Sequence, residues 1–150
     1  MDNEDIIQVT KGITIIQPFA SLILAGIKTV ENRSWPCKNP GYYALHAGKT
    51  KCSRKEIDRL KKIPSLAYFV QDMKDIPVGA IIGIVKFGVI EPSSDVDDFW
   101  KMNDGFWWHI DEVIKLDKPI ERKGQLGLWN LTKEESSILT KAVKKHNNKK

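Results

Sequence analysis

Ile13-Thr14-Ile15-Ile16-Gln17-Pro18-Phe19-Ala20-Ser21-Leu22-Ile23-Leu24-Ala25-Gly26-Ile27-Lys28-Thr29-Val30-Glu31-Asn32-Arg33 changes its hydrophobic period twice within one short stretch. The β-branched run Ile13–Ile16 predicts a strand. Gln17-Pro18 ends it, and a proline without an N–H suits the first turn of a helix. Residues 19–25 then read as one short helix with Phe19, Leu22 and Ile23 on one face. Gly26 is placed to stop that helix in a left-handed turn. Residues 29–33 read as extended, and alternation puts Glu31 and Arg33 on the same face. Lys28, in the turn, is free to reach the same space. Two cations and one carboxylate thus surround one opening. Arginine holds phosphate or a base edge in a bidentate fork, and lysine supplies a compact charge. By residue type alone, the same cluster also reads as surface ion pairs at a turn.

Outward from that stretch, Ser34–Pro40 is a loop with Pro36 and Pro40, and Gly41–His46 is a strand of aromatic and apolar residues. Ser53 with Glu56 three residues on forms a capping-box pattern that opens a basic amphipathic helix, Arg54–Lys62. Residues 65–77 read as a short helix or an irregular segment. Ala80–Ile90 is the clearest strand, and its glycines predict a bend or bulge. Residues 95–104 form an acidic loop or short helix. Phe106–Leu116 and Leu126–Leu131 read as strands, and Thr132 with Glu135 caps a last helix. The expected architecture is α+β, a small mixed barrel of about five to six strands with flanking helices. One domain spans 12–132, after a disordered lead-in at 1–11 and before a helix and basic tail at 133–150.

The chain has 150 residues, 41% hydrophobic and 29% charged, the balance of one globular domain. The apolar stretch Val78–Ile90 is too short and too interrupted to span a bilayer. The acidic start, Met1-Asp2-Asn3-Glu4-Asp5, lacks the pattern of a secretory signal, so a cytoplasmic or nuclear location is expected. Cys37 and Cys52 are then expected to be free thiols. His46, His109 and His146 are scattered, which argues against a structural metal. The net charge of +5 is uneven: residues 11–62 carry eleven lysines and arginines against three acids, whereas residues 63–120 are net negative. A basic first half holding the triad points to an anionic ligand.

The signature Gly26-x-Lys28-x-x-Glu31-x-Arg33 resembles the GxKxxExR pattern of the ASCH family at all four positions. Ile15-Ile16-Gln17-Pro18-Phe19-Ala20 is similar to the family's IRQPWA, with Phe19 in place of tryptophan. Glu31-Asn32-Arg33-Ser34-Trp35-Pro36 is similar to ENRTWP, and Leu45-His46-Ala47-Gly48-Lys49 to IHASK. Gly79–Gly83 and Lys123–Trp129 resemble its GGIVG and KGALGFW. The resemblance runs from about Ile13 to Leu131 and implies a PUA-like fold, with a cleft beside the first helix that holds RNA or a modified nucleotide. It also implies ligand roles for Gly26, Lys28, Glu31 and Arg33, and more weakly for Gln17, Ser21, His46 and Lys49. Trp35 is a further candidate, since base–aromatic stacking contributes on the order of 1–3 kcal/mol.

Two function classes follow. In the first, the cleft binds RNA or one nucleotide and neighbouring cations hold phosphates. In the second, the protein is a hydrolase, a ribonuclease or an acetylcytidine amidohydrolase, with Lys28 and Glu31 as catalytic residues. The amidohydrolases related to the family have a lysine matching Lys28, but their threonine nucleophile falls at Glu31 here. Binding is the preferred reading. No cofactor, metal or membrane contact is expected, and a monomer is. A protein partner for the acidic strip 91–104 has no support beyond family context.

Overall fold

Strand alternation in this chain feeds two cores, one on each side of a single sheet. The computed structural model describes residues 7–70 and 75–149. Its elements run β1 (Lys11–Gln17), α1 (Phe19–Leu24), β2 (Val30–Arg33), β3 (Gly41–Lys51), α2 (Arg54–Lys61), α3 (Pro64–Val70), β4 (Ala80–Pro92), β5 (Phe106–Glu121), β6 (Leu128–Asn130) and α4 (Lys133–Asn147). In β3, Tyr43, Leu45 and Ala47 join one apolar cluster with Ile13, Ile15, Ile23 and Trp108. Ala44 faces the other way, into a cluster with Ile81, Ile84, Trp129, Leu139 and Val143. Helix α1 thus covers one face and α4 the other. A third cluster joins Leu22 of α1 to Leu60, Leu66 and Val70 of α2 and α3.

The sheet has six strands in the order β2-β5-β4-β3-β1-β6. Strands β1 and β3 are parallel, with Ile13 opposite Leu45, and the other pairs are antiparallel. The connection between β1 and β3 is therefore a crossover, and it contains α1 and β2. The glycine-rich β4 shifts register against β5 between Ile81 and Gly83 and around Phe87, as its sequence predicts.

The architecture is mixed α+β, but the sheet is not closed into a barrel. Its edge strands β2 and β6 have four and three residues and no ladder joins them. The reason is local. β6 already pairs with the N-terminal half of β1, while β2 stops at Arg33 where the proline loop begins. The last strand is also shorter than the expected 126–131, because Gly127 adopts φ +67° and keeps residues 124–127 in a loop.

Caps match the sequence unevenly. Thr132 and Glu135 form a complete reciprocal box at α4. At α2 only Ser53 does its part, accepting from the Glu56 N–H, because the Glu56 carboxylate turns to Arg59. Of the lead-in read over 1–11, residues 1–6 lie outside the described residues. Val9, within them, is buried, with its N–H donating to Thr140 Oγ1 at 3.1 Å and its carbonyl accepting from Ser136. Residues 71–74 of the segment read over 65–77 also lie outside. Cys37 and Cys52 are both free. No helix among the described residues is long and apolar enough to cross a membrane.

Gly12 pairs with Trp129 across β1 and β6, and a Cβ at Gly12 would lie 2.5 Å from the indole ring. Gly12→Ala is expected to destabilise the fold by about 1–3 kcal/mol through overpacking. Urea unfolding checks this, and shrinking the ring in Gly12→Ala/Trp129→Leu should recover part of the loss.

Candidate functional site

The turn after α1 sets up the site. The N–H groups of Ile27 and Lys28 both donate to the Leu22 carbonyl, at 3.0 and 3.1 Å. Gly26 sits at φ +77°, where a side chain would strain the backbone, so the chain reverses there. Lys28 is thereby turned inward at the foot of β2. The Ile110 N–H then donates to the Thr29 carbonyl, and β2 pairs along β5 with Glu31 opposite Trp108 and Arg33 opposite Phe106.

The three charged side chains converge. Arg33 Nη2 lies 2.9 Å from Glu31 Oε2, and Lys28 Nζ lies 3.9 Å from Glu31 Oε1. Arg33 also donates through Nε to Glu31 and through Nη2 to the Thr14 carbonyl at 3.3 Å. Strands β2 and β1 stand four ladder spacings apart in the sheet order, roughly 19 Å if the sheet were flat. A hydrogen bond from Arg33 to Thr14 therefore requires a sheet curled until its β2 edge nearly returns to β1. One guanidinium, rather than a ladder, spans what remains.

Lys28 is buried, and its ammonium donates to the Val30 carbonyl. It also lies 5.9 Å from the Phe19 ring centre and 5.5 Å from that of Trp100. Burial holds its pKa below the usual 10.5, Glu31 pulls it back up, and Arg33 pushes it further down. Burial thus disfavours the ammonium while Glu31 and the Val30 carbonyl support it, and an added anion would support it further.

A hollow of about 510 Å³ opens over this triad. Its floor is Thr14–Ile16 of β1 with Lys28, Glu31 and Arg33, and its walls include Phe19, Phe99 and Trp100. Phe99 and Trp100 come from the acidic segment, and Asn32 fixes that segment there. Asn32 Nδ2 donates to the Trp100 carbonyl at 2.7 Å, while its Oδ1 accepts the Met102 N–H at 2.9 Å. From the opposite side, the Arg59 guanidinium of α2 lies over the Phe99 ring at 4.3 Å. Helix α2 and the segment around Phe99 therefore meet across one end of the cleft.

The other sequence-derived candidates are placed differently. Gln17 is fully buried and donates to Ser21 Oγ at 2.7 Å and to the Pro77 carbonyl at 2.8 Å, while its Oε1 accepts the Ser21 N–H. Gln17 and Ser21 thus brace the start of α1 and do not line the cleft. Trp35 lies outside it too. Its ring sits edge-on to Trp108 at 4.9 Å, and it lines a separate hollow of about 520 Å³ with Lys38 and Tyr43. His46, expected at a strand end, is inside β3 and 1% exposed, with Nε2 2.7 Å from the Arg122 carbonyl. Together with the exposed Lys49 it lines a smaller hollow next to the main one.

Asn32, Arg59, Phe99 and Trp100 are the cleft residues that the sequence does not single out. The partners of Asn32 lie about seventy residues away in the chain, so only tertiary structure brings them together. The basic helix signal did point to the element that carries Arg59. Among the described residues, no group of three or more His, Cys, Asp or Glu side chains is gathered where it could hold a metal ion.

A family model described as the ASCH domain matches residues 13–120, which takes in most of β1, the triad and nearly all of β5. No curated protein matches the chain.

Burial lowers the pKa of His46 below its usual 6.5, against the upward pull of the Arg122 carbonyl. The folded state then binds fewer protons than the unfolded state in that range. Its stability is full above pH 6.5 and is lost as pH falls toward the depressed value. Urea midpoints measured from neutral to mildly acidic pH should decline, and His46→Gln should flatten the decline. An equally steep slope in the variant would assign the acid sensitivity to other groups.

Proposed function

This chain belongs to the ASCH domain family, and on that premise we propose that it is a PUA-like RNA-binding protein that seats one nucleotide in the cleft over Lys28, Glu31 and Arg33. The observation that carries this reading is the convergence of those three side chains on one solvent-reachable hollow with an aromatic wall. Arg33 is oriented by Glu31 and the Thr14 carbonyl, which leaves its Nη1 end for a phosphate or a base edge. Trp100 and Phe99 offer faces for a base. Glu31 accepts an exocyclic amine through whatever lone pairs Arg33 leaves free. Lys49 and the exposed lysines of α2 supply contacts to flanking phosphates, with no base preference of their own. A cytoplasmic or nuclear place of work goes with this reading.

Binding is favoured over hydrolysis by the position of Glu31. Both of its carboxylate oxygens are ion-paired, Oε2 with Arg33 and Oε1 with Lys28, so it serves to position the two cations.

Retention of mixed transfer RNA on the purified protein tests the proposal. Affinity should fall steeply with rising salt as counterions are released. Arg33→Ala should lose about 2 kcal/mol, roughly thirtyfold, with a shallower salt slope. Trp100→Ala should weaken binding with the slope unchanged. If both variants bind as well as the parent, the cleft is not the RNA site.

Lys28 adds a pH signature. Because its pKa is lowered, its charge is lost at pH values below the 10.5 of a free lysine, and RNA affinity should fall there. Lys28→Arg, which stays charged, should show no such step in the same titration.

A further inference from the structure

The main cleft is not isolated. A second hollow of about 330 Å³ lies beside it, and Thr14, Ile16, Gln125 and Leu126 line both. The boundary between them is the loop 124–127. Gly124 lies flat against β1 and β3, since a Cβ there would meet Thr14 Oγ1 at 2.8 Å and His46 at 2.9 Å. The Gln125 N–H and Trp129 Nε1 both donate to Thr14 Oγ1, at 3.4 and 3.0 Å, which ties the loop down on each side of its tip.

Leu126 stands at that tip and is 99% exposed. It contributes almost nothing to the chain's own core, yet the loop beneath it is held closely. It is also not a solitary exposed apolar residue. Ile16, Phe99 and Met102 are exposed around the same mouth, and such clustering marks a binding surface.

Charge completes the picture. The second hollow is lined by Lys49, Arg122 and Lys123 and by no carboxylate. Arg122 is taken by Glu135 at 2.7 Å. Lys49 and Lys123 are exposed, and neither makes an ion pair with a described residue. An apolar ridge between two hollows, one with an aromatic wall and one with two unneutralised lysines, suits a strand that crosses the ridge.

We propose that the two hollows hold consecutive nucleotides of one RNA strand, with Leu126 wedged between their bases and Lys49 and Lys123 on the phosphate that follows. The preferred ligand is then an oligonucleotide and not a free nucleoside. This rests on the reading of the main cleft as a nucleotide site and extends it by one position. Apolar wedges of this kind unstack neighbouring bases, and single-stranded RNA offers bases that are already splayed.

Calorimetry on the full chain tests this, with the four ribonucleoside 5′-monophosphates and a mixed-sequence pool of tetraribonucleotides as probes. The tetranucleotides should bind at least about tenfold more tightly than the best monophosphate. Leu126→Ala, which changes no charge, should remove most of that advantage, and so should Lys49→Ala/Lys123→Ala. Both variants should lower tetranucleotide affinity by a larger factor than monophosphate affinity, whereas Arg33→Ala lowers both. All three positions in the first two variants are exposed, and melting curves confirm that those variants fold. If the tetranucleotide advantage survives in them, or never exists while Arg33→Ala still abolishes monophosphate binding, the second position is refuted and the main cleft stands. If no probe binds the parent chain, both readings fall.

Discussion

A single guanidinium spans the gap that the backbone of this sheet leaves open. Arg33 sits at the end of the edge strand β2, anchored to Glu31 and reaching the carbonyl of Thr14 on β1. Had β2 run on and paired with β1, the hollow would be filled by a ladder, and Thr14 would face a strand rather than solvent. The incomplete closure and the site are one feature. The ladder groups left unpaired at this edge become ligands for side chains, and the side chains that satisfy them carry the charge.

Burying that charge has a cost, because a lysine and a glutamate removed from water are rarely repaid by their mutual attraction alone. The chain offsets it with a backbone carbonyl for the Lys28 ammonium, two aromatic faces beside it and a second cation on the far oxygen of Glu31. The Lys28 ammonium, with three protons to donate, has one hydrogen-bond acceptor in the Val30 carbonyl and an ion pair to Glu31 at 3.9 Å, fewer acceptors than water would offer. A binding site needs that combination of fixed geometry and unspent hydrogen-bonding capacity.

Much of this is legible in the sequence. The proline, the glycine stop and the alternation after it located α1, the turn and β2 within a residue or two, because each acts locally. The triad followed from the same local rules. The closed barrel did not hold, since closure depends on which edges meet, and no period-two pattern encodes that. Trp35 was read as part of the cleft because it is near Arg33 in sequence. It packs edge-on to Trp108 and lines a separate hollow instead. The place of Trp100 depends on one amide, Asn32, that looks like any other polar residue of an edge strand. His46 was misplaced at a strand end because β3 runs on to Lys51, through Gly48 and three polar residues that a propensity reading treats as a terminus.

The parallel pairing of β1 with β3 carries a further meaning. The segment that joins them carries the charged triad, so the chain cannot pair these two strands without looping out α1 and β2. The same connectivity frees the segment to vary. Its helix lies on one face of the sheet and its strand at the edge, and the side chains these turn toward the hollow can be exchanged without rewriting the register of the centre. A fold wired in this way can keep its scaffold and change its cargo.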